Sequence, residues 1–411
     1  MTVRWAWWRR QTPTLVNLAT VVISLAQNLV FTALIARHWS AQALGQWLSL
    51  EASINLLLAL PAILADLVGY ELLRAVEPAE RHGIYRQGTW AALGLALLLL
   101  PATALLWLGD FPVKASLLLI YAAVRLLAQP VLGAMGKRFY SDGHLSLSFS
   151  LGALDQILIL APPALVALLG GSFAQAIAWS VLLRTVQALG CIILLQHFFP
   201  WRAPSAMKTW TVLGLWRRML LLAPVSLPAA LIQNGISLIM AALLGQSQFA
   251  VFSTHRSAAG FLGQFGNALI EPRIPAMLRQ SRAVYAAWSL SRRTLPVVAA
   301  TIPVMLLVFP LLYPLWLGQA WQPQLGLFSV LLLVQLFRLL QQPFSILIRS
   351  RNEPLLAFAE GWLPLLLVYG MLVALHPSRI VLFAVILLAA ELLKWPLSWW
   401  LLRSRPQAFA G

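Results

Sequence analysis

RLLAQPVLGAMGKR, residues 125–138, returns in the second half of the chain as RLLQQPFSILIRSR, residues 338–351. Both copies begin with Arg inside an apolar segment, have Gln and Pro four and five residues later, and close with Arg at the fourteenth position. Shared leucines carry little weight in a leucine-rich chain, whereas matched Arg, Gln and Pro at identical spacing indicate an internal repeat. The fold is therefore expected to consist of two related halves.

A second pair of matched residues supports the repeat. Gln27-Asn28 returns as Gln233-Asn234 at an offset of 206, and the repeated arginines differ by 213. Both offsets are close to half of the 411 residues, and a seven-residue insertion reconciles them.

The composition requires a membrane. Hydrophobic residues make up 60% of the chain and charged residues 10%, and the mean hydropathy is +0.81, which is too much apolar surface for a soluble domain to bury. Apolar runs of about 20 residues, the length that crosses a bilayer as a helix, predict twelve spans. They are 14–36, 43–70, 88–108, 115–136, 145–169, 173–197, 218–244, 249–272, 294–316, 323–348, 355–375 and 379–402.

The twelve spans divide into two sets of six. Because six is even, both halves enter the membrane in the same orientation, which predicts parallel repeats with a substrate site at their interface. The N-terminal lobe is predicted at 1–200 and the C-terminal lobe at 218–411, joined by a basic, proline-containing cytoplasmic linker at 201–217. The predicted fold is thus an all-α polytopic membrane protein.

The basic surplus is explained by topology. The net charge is +17, and with the N-terminus inside, 22 of the 29 Lys and Arg fall in cytoplasmic segments or at cytoplasmic helix ends. This asymmetry is the positive-inside rule, and it places both termini in the cytoplasm. A nucleic-acid partner is therefore not expected.

Residues for catalysis or cofactor binding are missing from the sequence. The single Cys191 lies inside a span, the six histidines never pair at ligand spacing, and there is no Gly-rich phosphate-binding loop. The predicted outside loops are short, which weighs against a membrane glycosyltransferase or glycan polymerase. We therefore predict that the chain is not an enzyme, has no catalytic or metal-binding residues, and has no cofactor.

Four arginines lie well inside predicted spans: Arg125, Arg184, Arg256 and Arg338. A charge at the bilayer centre costs roughly 2.5–3.5 kcal/mol, so it usually faces a bundle interior or a watery cavity. The planar guanidinium binds two phosphate oxygens at once. We therefore predict that these arginines bind the anionic group of a phosphorylated substrate in a central cavity.

Internal pairing is the alternative for the buried charges. Arg125 and Arg338 could pair with Glu51, Asp155 or Glu360, and Arg184 could pair within its own helix or reach the interface. Glu51 and Asp155 are also the best candidates for a proton or cation coupling site.

Acids near helix ends are assigned other roles. Asp66 and Glu271 lie near cytoplasmic helix ends, where salt bridges to Arg74 or Arg273 could hold an inward gate shut. Glu391 and Lys394 are three residues apart on one helix and are interpreted as a structural pair.

Short motifs follow one another in a recognisable order along nearly the whole chain. They are Ala36-Arg37-His38-Trp39-Ser40 with Gly45-Gln46-Trp47, Asp66-Leu67-Val68-Gly69, the run Leu244-Gly245 through Phe252, Arg256, and Pro272-Arg273. Together with twelve spans in a six-plus-six repeat, they resemble the polysaccharide (Wzx-type, O-antigen) flippases of the multidrug/oligosaccharidyl-lipid/polysaccharide exporter (MOP) superfamily.

This resemblance implies a V-shaped pair of lobes with a cationic lumen and alternating access. It implies transfer of a polyprenyl-pyrophosphate-linked oligosaccharide across the bacterial cytoplasmic (inner) membrane, with membrane lipids and other polysaccharide-assembly proteins as partners, and with proton or sodium coupling as an option. Asn234 stands where many relatives have an acid, which puts coupling there in doubt. Sugar specificity is expected from the polar residues Gln27, Asn28, Gln233, Asn234, Gln264 and Asn267.

Other transporters remain alternatives. A multidrug exporter of the same superfamily should have a cavity with buried acids for cationic drugs. A major-facilitator transporter also has twelve helices and parallel halves, but its G-x-x-x-D-R-x-G-R-R loop is absent from ELLRAVEPAERHGIYRQ, residues 71–87. A membrane glycosyltransferase or polymerase is a remote alternative.

Overall fold

The computed structural model is built of helices, and the part of the chain that it describes contains no β-strand. Such a sequence forms helices because only helices and closed barrels satisfy all backbone N–H and C=O groups within hydrocarbon. The predicted all-α fold class is confirmed. The described residues are 29–74, 77–108, 111–142, 144–198, 212–270, 273, 277, 283–350 and 354–404.

Seven α-helices come from the first half of the described chain. They are α1 (Leu29–His38), α2 (Ala41–Leu57), α3 (Ala59–Arg74), α4 (Pro78–Leu99), α5 (Ala115–Ser141), α6 (Leu145–Leu168) and α7 (Phe173–Phe198). A 3₁₀ segment, Leu100–Leu108, extends α4.

The second half contributes seven more. They are α8 (Val212–Ala230), α9 (Ile236–Leu244), α10 (Gln246–Ile270), α11 (Ala283–Leu317), α12 (Leu325–Ser350), α13 (Pro354–Leu375) and α14 (Ile380–Ser404). A π-helical turn, Leu231–Gly235, joins α8 to α9 with both flanking residues in helical conformation. Single π turns inside helices often mark functional sites, and this one includes the predicted cavity residues Gln233 and Asn234.

The helices account for about twelve membrane spans. Eight described helices are long and apolar enough to cross a bilayer, and α2 with α3 forms a ninth span bent by 51° where one span was predicted at 43–70. Two shorter apolar helices, Leu29–His38 and Glu360–Leu375, coincide with the first and eleventh predicted spans. The remaining predicted span corresponds to α10, which is 25 residues long.

The chain divides into two compact units. Unit 1 contains residues 1–39 and 49–223, and unit 2 contains residues 40–48 and 224–411. Unit 1 is built around α5, which packs against α3, α4, α6 and α7, while unit 2 is built around α12, which packs against α10, α11 and α14. The first repeated segment, and the second as far as residue 350, therefore lie on the central helix of their units. The predicted linker lies mostly outside the described residues, and the predicted lobe boundaries stay a prediction.

Within unit 2, the start of α2 lies close to the start of α10. A Cβ added to Gly45 would lie 2.0 Å from the backbone oxygen of Gln246, so this approach of two backbones requires glycine. Small residues allow such contacts between membrane helices. The motif residue Gly45 thus has a packing role.

Candidate functional site

In unit 1, Arg125 is buried in an ion pair. Its side chain is 1% exposed, and Nη1 lies 2.8 Å from Oε2 of Glu51 on α2. The Tyr121 hydroxyl donates to the other oxygen of Glu51, and Arg125 donates to Tyr121 at 3.1 Å. Its Nε donates to Gln129 at 3.1 Å, and its Nη2 donates to Asn55 at 3.4 Å. The guanidinium is thus surrounded by acceptors of its own unit.

A second pair lies beside the first. Arg184 on α7 pairs with the Asp155 carboxylate on α6, and its Nη2 donates to the Asp155 carbonyl at 2.9 Å. Nη1 also donates to Gln187 one helical turn away, at 3.0 Å. Gln129 donates to Asp155 at 3.4 Å, so the two ion pairs form one hydrogen-bonded network with two cations and two carboxylates.

This network matches the internal-pairing alternative for Arg125, whose partner is Glu51. Arg184 is paired as well, but with Asp155 on the neighbouring helix and not within its own helix. Neither Arg125 nor Arg184 presents an uncompensated charge, since each is 1% exposed and faces a carboxylate. Glu51 and Asp155 are likewise neutralised, so neither is a bare acid for a cationic ligand. The anion-binding role of these two arginines stays a prediction, as does the coupling role of the two acids.

Unit 2 contains an open polar cavity of about 340 Å³. It lies among α12, α13, α14 and the segment around the π turn. Its polar lining residues are Gln233, Arg338, Gln341, Gln342, Ser345, Glu360, Glu391 and Lys394.

Cations surround Glu391 at this cavity. Arg338 donates to its Oε1 through Nε at 3.3 Å and through Nη2 at 3.1 Å. Lys394 approaches both carboxylate oxygens, at 3.3 and 3.4 Å. Arg256 on α10 donates to the Gln233 carbonyl at 3.3 Å and lies close enough to interact electrostatically with Arg338 and Glu391. No carboxylate among the described residues is within ion-pair distance of Arg256.

The second carboxylate of the cavity, Glu360, has neutral partners. It accepts a hydrogen bond from Gln341 at 3.2 Å and another from the Ser345 hydroxyl. Gln341 also donates to Ser398 at 3.3 Å. Among the described residues, three cations stand against two carboxylates, which leaves a positive excess in this region.

The two repeated arginines therefore have different surroundings. The Arg125 side chain is 1% exposed, whereas that of Arg338 is 42% exposed. Glu391 and Lys394 form the structural pair predicted from their spacing. That pair also supplies the partner of Arg338, so it belongs to the candidate site.

The other predicted site residues are distributed as follows. Gln27, Asn28 and Glu271 lie outside the described residues; Gln264 and Asn267 are partly buried on α10, and Asn234 is partly buried in the π turn.

Asp66, predicted to close a gate through Arg74 or Arg273, pairs instead with Lys137 at 2.9 Å, and its side chain is 62% exposed. In the described part of the chain, no three His, Cys, Asp or Glu residues group as a metal site would require.

Sequence reasoning missed most of the polar neighbours. Tyr121 and Gln129 lie four residues before and after Arg125, on the same face of α5. This i, i+4 spacing was the available signal. Asn55 and Gln187 gave no comparable signal, because their contacts with the network depend on how α2 and α7 are placed.

The chain resembles solved transporter structures over its whole length. It matches the MATE multidrug transporter DinF-BH with a TM-score of 0.61 and 13% identity, over 97% of this chain and 96% of that one. It matches an inward-facing MATE family transporter of the MOP superfamily with a TM-score of 0.59 and 17% identity, over 96% and 98%. The chain has the fold of MOP superfamily transporters.

A third solved structure with this fold is a MOP superfamily transporter from Pyrococcus furiosus, whose binding pocket is described as having reverse polarity, suggesting a different function. Its TM-score is 0.56 at 15% identity, with coverage of 98% of this chain and 95% of that one. No protein-family model and no curated protein sequence matches the chain. The MOP fold is thus established from structure, and the polysaccharide flippase subtype is a matter for proposal.

Proposed function

We propose that the chain is a secondary transporter that carries an anionic amphiphile across the membrane by alternating access. The MOP fold supports a transporter, since the solved structures with this fold are transporters. The sequence has no phosphate-binding loop for ATP, so an ion gradient is the expected energy source.

The charge balance of the two units favours an anionic cargo over a cationic one. In unit 1 the acids Glu51 and Asp155 are already paired with arginines, so neither is a bare carboxylate for a cationic drug. In unit 2 a half-exposed Arg338 lines an open cavity beside Lys394, with Arg256 close by. A guanidinium in this position can donate two parallel hydrogen bonds to a phosphate group.

Glu391 gives the site a simple exchange mechanism. When no cargo is bound, its carboxylate compensates Arg338 and Lys394. An arriving phosphate would compete with Glu391 for the same donors, so the site need not hold uncompensated cations in the membrane. Release is assisted when the carboxylate returns to its partners.

The cargo that fits best is a polyprenyl-pyrophosphate-linked oligosaccharide. Its pyrophosphate needs cations while it crosses a region of low dielectric, and its sugars need hydrogen-bonding groups such as Gln341, Gln342 and Ser345. The inferred location is the bacterial cytoplasmic membrane.

A multidrug exporter is the second candidate, favoured by the solved MATE multidrug transporters that share the fold. It predicts that a cationic drug, and not an anionic lipid, stabilises and is moved by the purified protein. Glu360, which has neutral partners only among the described residues, would then be the drug-binding carboxylate.

The deciding experiment begins with deletion of the gene. A lipid-linked oligosaccharide that accumulates facing the cytoplasm, and is cleared by the wild-type gene, supports the flippase. Arg338→Ala should fail to clear it and Arg338→Lys should clear it in part, while Arg379→Ala, at an exposed arginine outside the cavity, should act as wild type. Normal lipid-linked sugars with raised drug susceptibility would favour the exporter and refute the anionic cargo.

A further inference from the structure

A second cavity, of about 520 Å³, lies wholly within unit 1. Helices α4 and α7 form its sides, and α5, which packs against both, forms its floor. The lining is almost entirely hydrocarbon, with Leu93, Val131, Ala188 and Ile192 as typical members. It shares no residue with the buried charge network.

The cavity opens sideways rather than into the unit. Trp90 and Ile192 at its rim are 52% and 50% exposed, and the neighbouring Leu97 and Leu189 are 57% and 55% exposed. Both α4 and α7 are long and apolar enough to span a bilayer. An apolar groove that opens through such a surface faces the hydrocarbon of the membrane, where lipid chains are the available occupants.

The groove has the depth of one leaflet. Its lining runs over 85–93 on α4, 124–132 on α5 and 185–196 on α7. At 1.5 Å per residue these stretches are about 12 to 17 Å long, close to half of a hydrocarbon core of about 30 Å. In the predicted topology all three stretches lie in the cytoplasmic half of their spans, so the groove faces the inner leaflet.

We propose that this groove binds the isoprenoid chain of the lipid-linked cargo while the cargo is in the inner leaflet. The inference rests on the proposed function, which makes a single-chain lipid in that leaflet the cargo. The groove holds about 520 Å³ over this length. That leaves room for a chain bulkier than a straight acyl chain, such as a methyl-branched isoprenoid.

The groove is expected to prefer the isoprenoid chain over acyl chains only modestly, for a physical reason. Bilayer hydrocarbon is as apolar as the groove, so transfer between them supplies no hydrophobic driving force. Selection must come from van der Waals fit, which is small per contact and adds up over a branched chain. A preference of about tenfold over acyl chains is expected, equivalent to about 1.4 kcal/mol.

The test uses the full chain in nanodiscs of phosphatidylethanolamine and phosphatidylglycerol. Two photoactivatable probes are compared: a polyprenyl phosphate with a diazirine on its first isoprene units, and a phosphatidylglycerol with a diazirine on one acyl chain. Mass spectrometry of the labelled peptides should place the polyprenyl probe on the lining of α4, α5 and α7, about tenfold above the acyl probe. Equal labelling of the groove by both probes would overturn the proposal.

A variant that fills the groove, compared with a matched control on the same helix, tests the site directly. Ala188→Phe puts a ring into the cavity, and Leu189→Phe adds similar bulk on the lipid-facing side of the same helix. The first should reduce polyprenyl labelling about tenfold and the second should leave it unchanged. Thr185→Phe, one helical turn before Ala188 on the same lining, repeats the test if Ala188→Phe does not fold. Labelling that survives in a folded filled variant refutes the site.

Different outcomes would refute the groove site and the proposed transport function. Arg338→Ala should lose transport and keep groove labelling, because Arg338 belongs to the other unit. Groove labelling in a protein that moves no lipid-linked glycan would overturn the flippase and support the lipid-chain site. Transport without groove labelling would overturn only the site.

Discussion

Replacing Arg125 with Met should destabilise the protein, although the matching change at Arg338 should not. Methionine is close to arginine in length and has no charge, so Arg125→Met removes the donors with little loss of packing. It leaves Glu51 buried, with the Tyr121 hydroxyl as its remaining hydrogen-bond donor within the described structure. Unit 1 then contains a buried carboxylate that has lost its cationic partner, and this lowers the stability of the folded state.

The size of the loss follows from the burial of the pair. The Arg125 side chain is 1% exposed and that of Glu51 9%, so solvent screens the remaining charge very little. Breaking a buried pair by removing one partner costs about 3–5 kcal/mol. At roughly 2–4 °C per kcal/mol for a domain of this size, the unfolding temperature should fall by about 10 °C.

A double-mutant cycle isolates the ion pair as the cause. Glu51→Gln removes the stranded charge and keeps an acceptor for Tyr121, so Arg125→Met with Glu51→Gln should recover about 2–3 kcal/mol of the loss. Thermal unfolding of the purified protein in detergent measures all four forms, with Arg379→Met as an exposed control. A single variant within about 1 kcal/mol of wild type, or a double variant no more stable than the single, would refute the reasoning.

Three further predictions concern unit 2. Arg338→Ala should change the unfolding free energy by less than about 1 kcal/mol, because its side chain is 42% exposed and Lys394 still pairs with the buried Glu391. Binding of a polyprenyl pyrophosphate, measured by thermal shift, should weaken at least about tenfold, and an unchanged ligand shift would contradict the anion site. Glu391→Gln removes the internal competitor, so the same ligand should bind more tightly while turnover in vesicles falls; weaker binding would exclude the exchange mechanism. Gly45→Ala should lower the unfolding temperature, because the new Cβ would lie 2.0 Å from the Gln246 backbone, and Gly326→Ala, where the space is open, is the control that should not.

Much of the fold was predictable because membrane helices are specified by local composition. Apolar runs identify the spans, and the repeated arginine segments identified the two helices, α5 and α12, around which the units are built. The 51° bend between α2 and α3 was not predictable. It depends on packing, and the sequence 43–70 has the length and composition of one helix.

The candidate site was predictable by residue type and less so by pairing. Charged residues in the membrane are rare enough to be found by inspection, so all four arginines were identified. Which carboxylate each arginine contacts depends on how the helices are rotated about their axes, and the sequence does not show this rotation. Arg125 faces Glu51, 74 positions away, and Arg338 faces Glu391, 53 positions away.

The two copies of the repeated segment face different selection. In the first, Arg125 can change only together with Glu51, since either alone leaves a stranded charge, and so this pair should drift slowly among descendants of the duplication. In the second, Arg338 borders an open cavity and Lys394 also pairs with Glu391, so Arg338 can vary with the cargo without leaving that carboxylate unpaired. Among such proteins, sequence changes that accompany a change of cargo should therefore be concentrated around α12 and α14. The residues at the centre of unit 1 should change little.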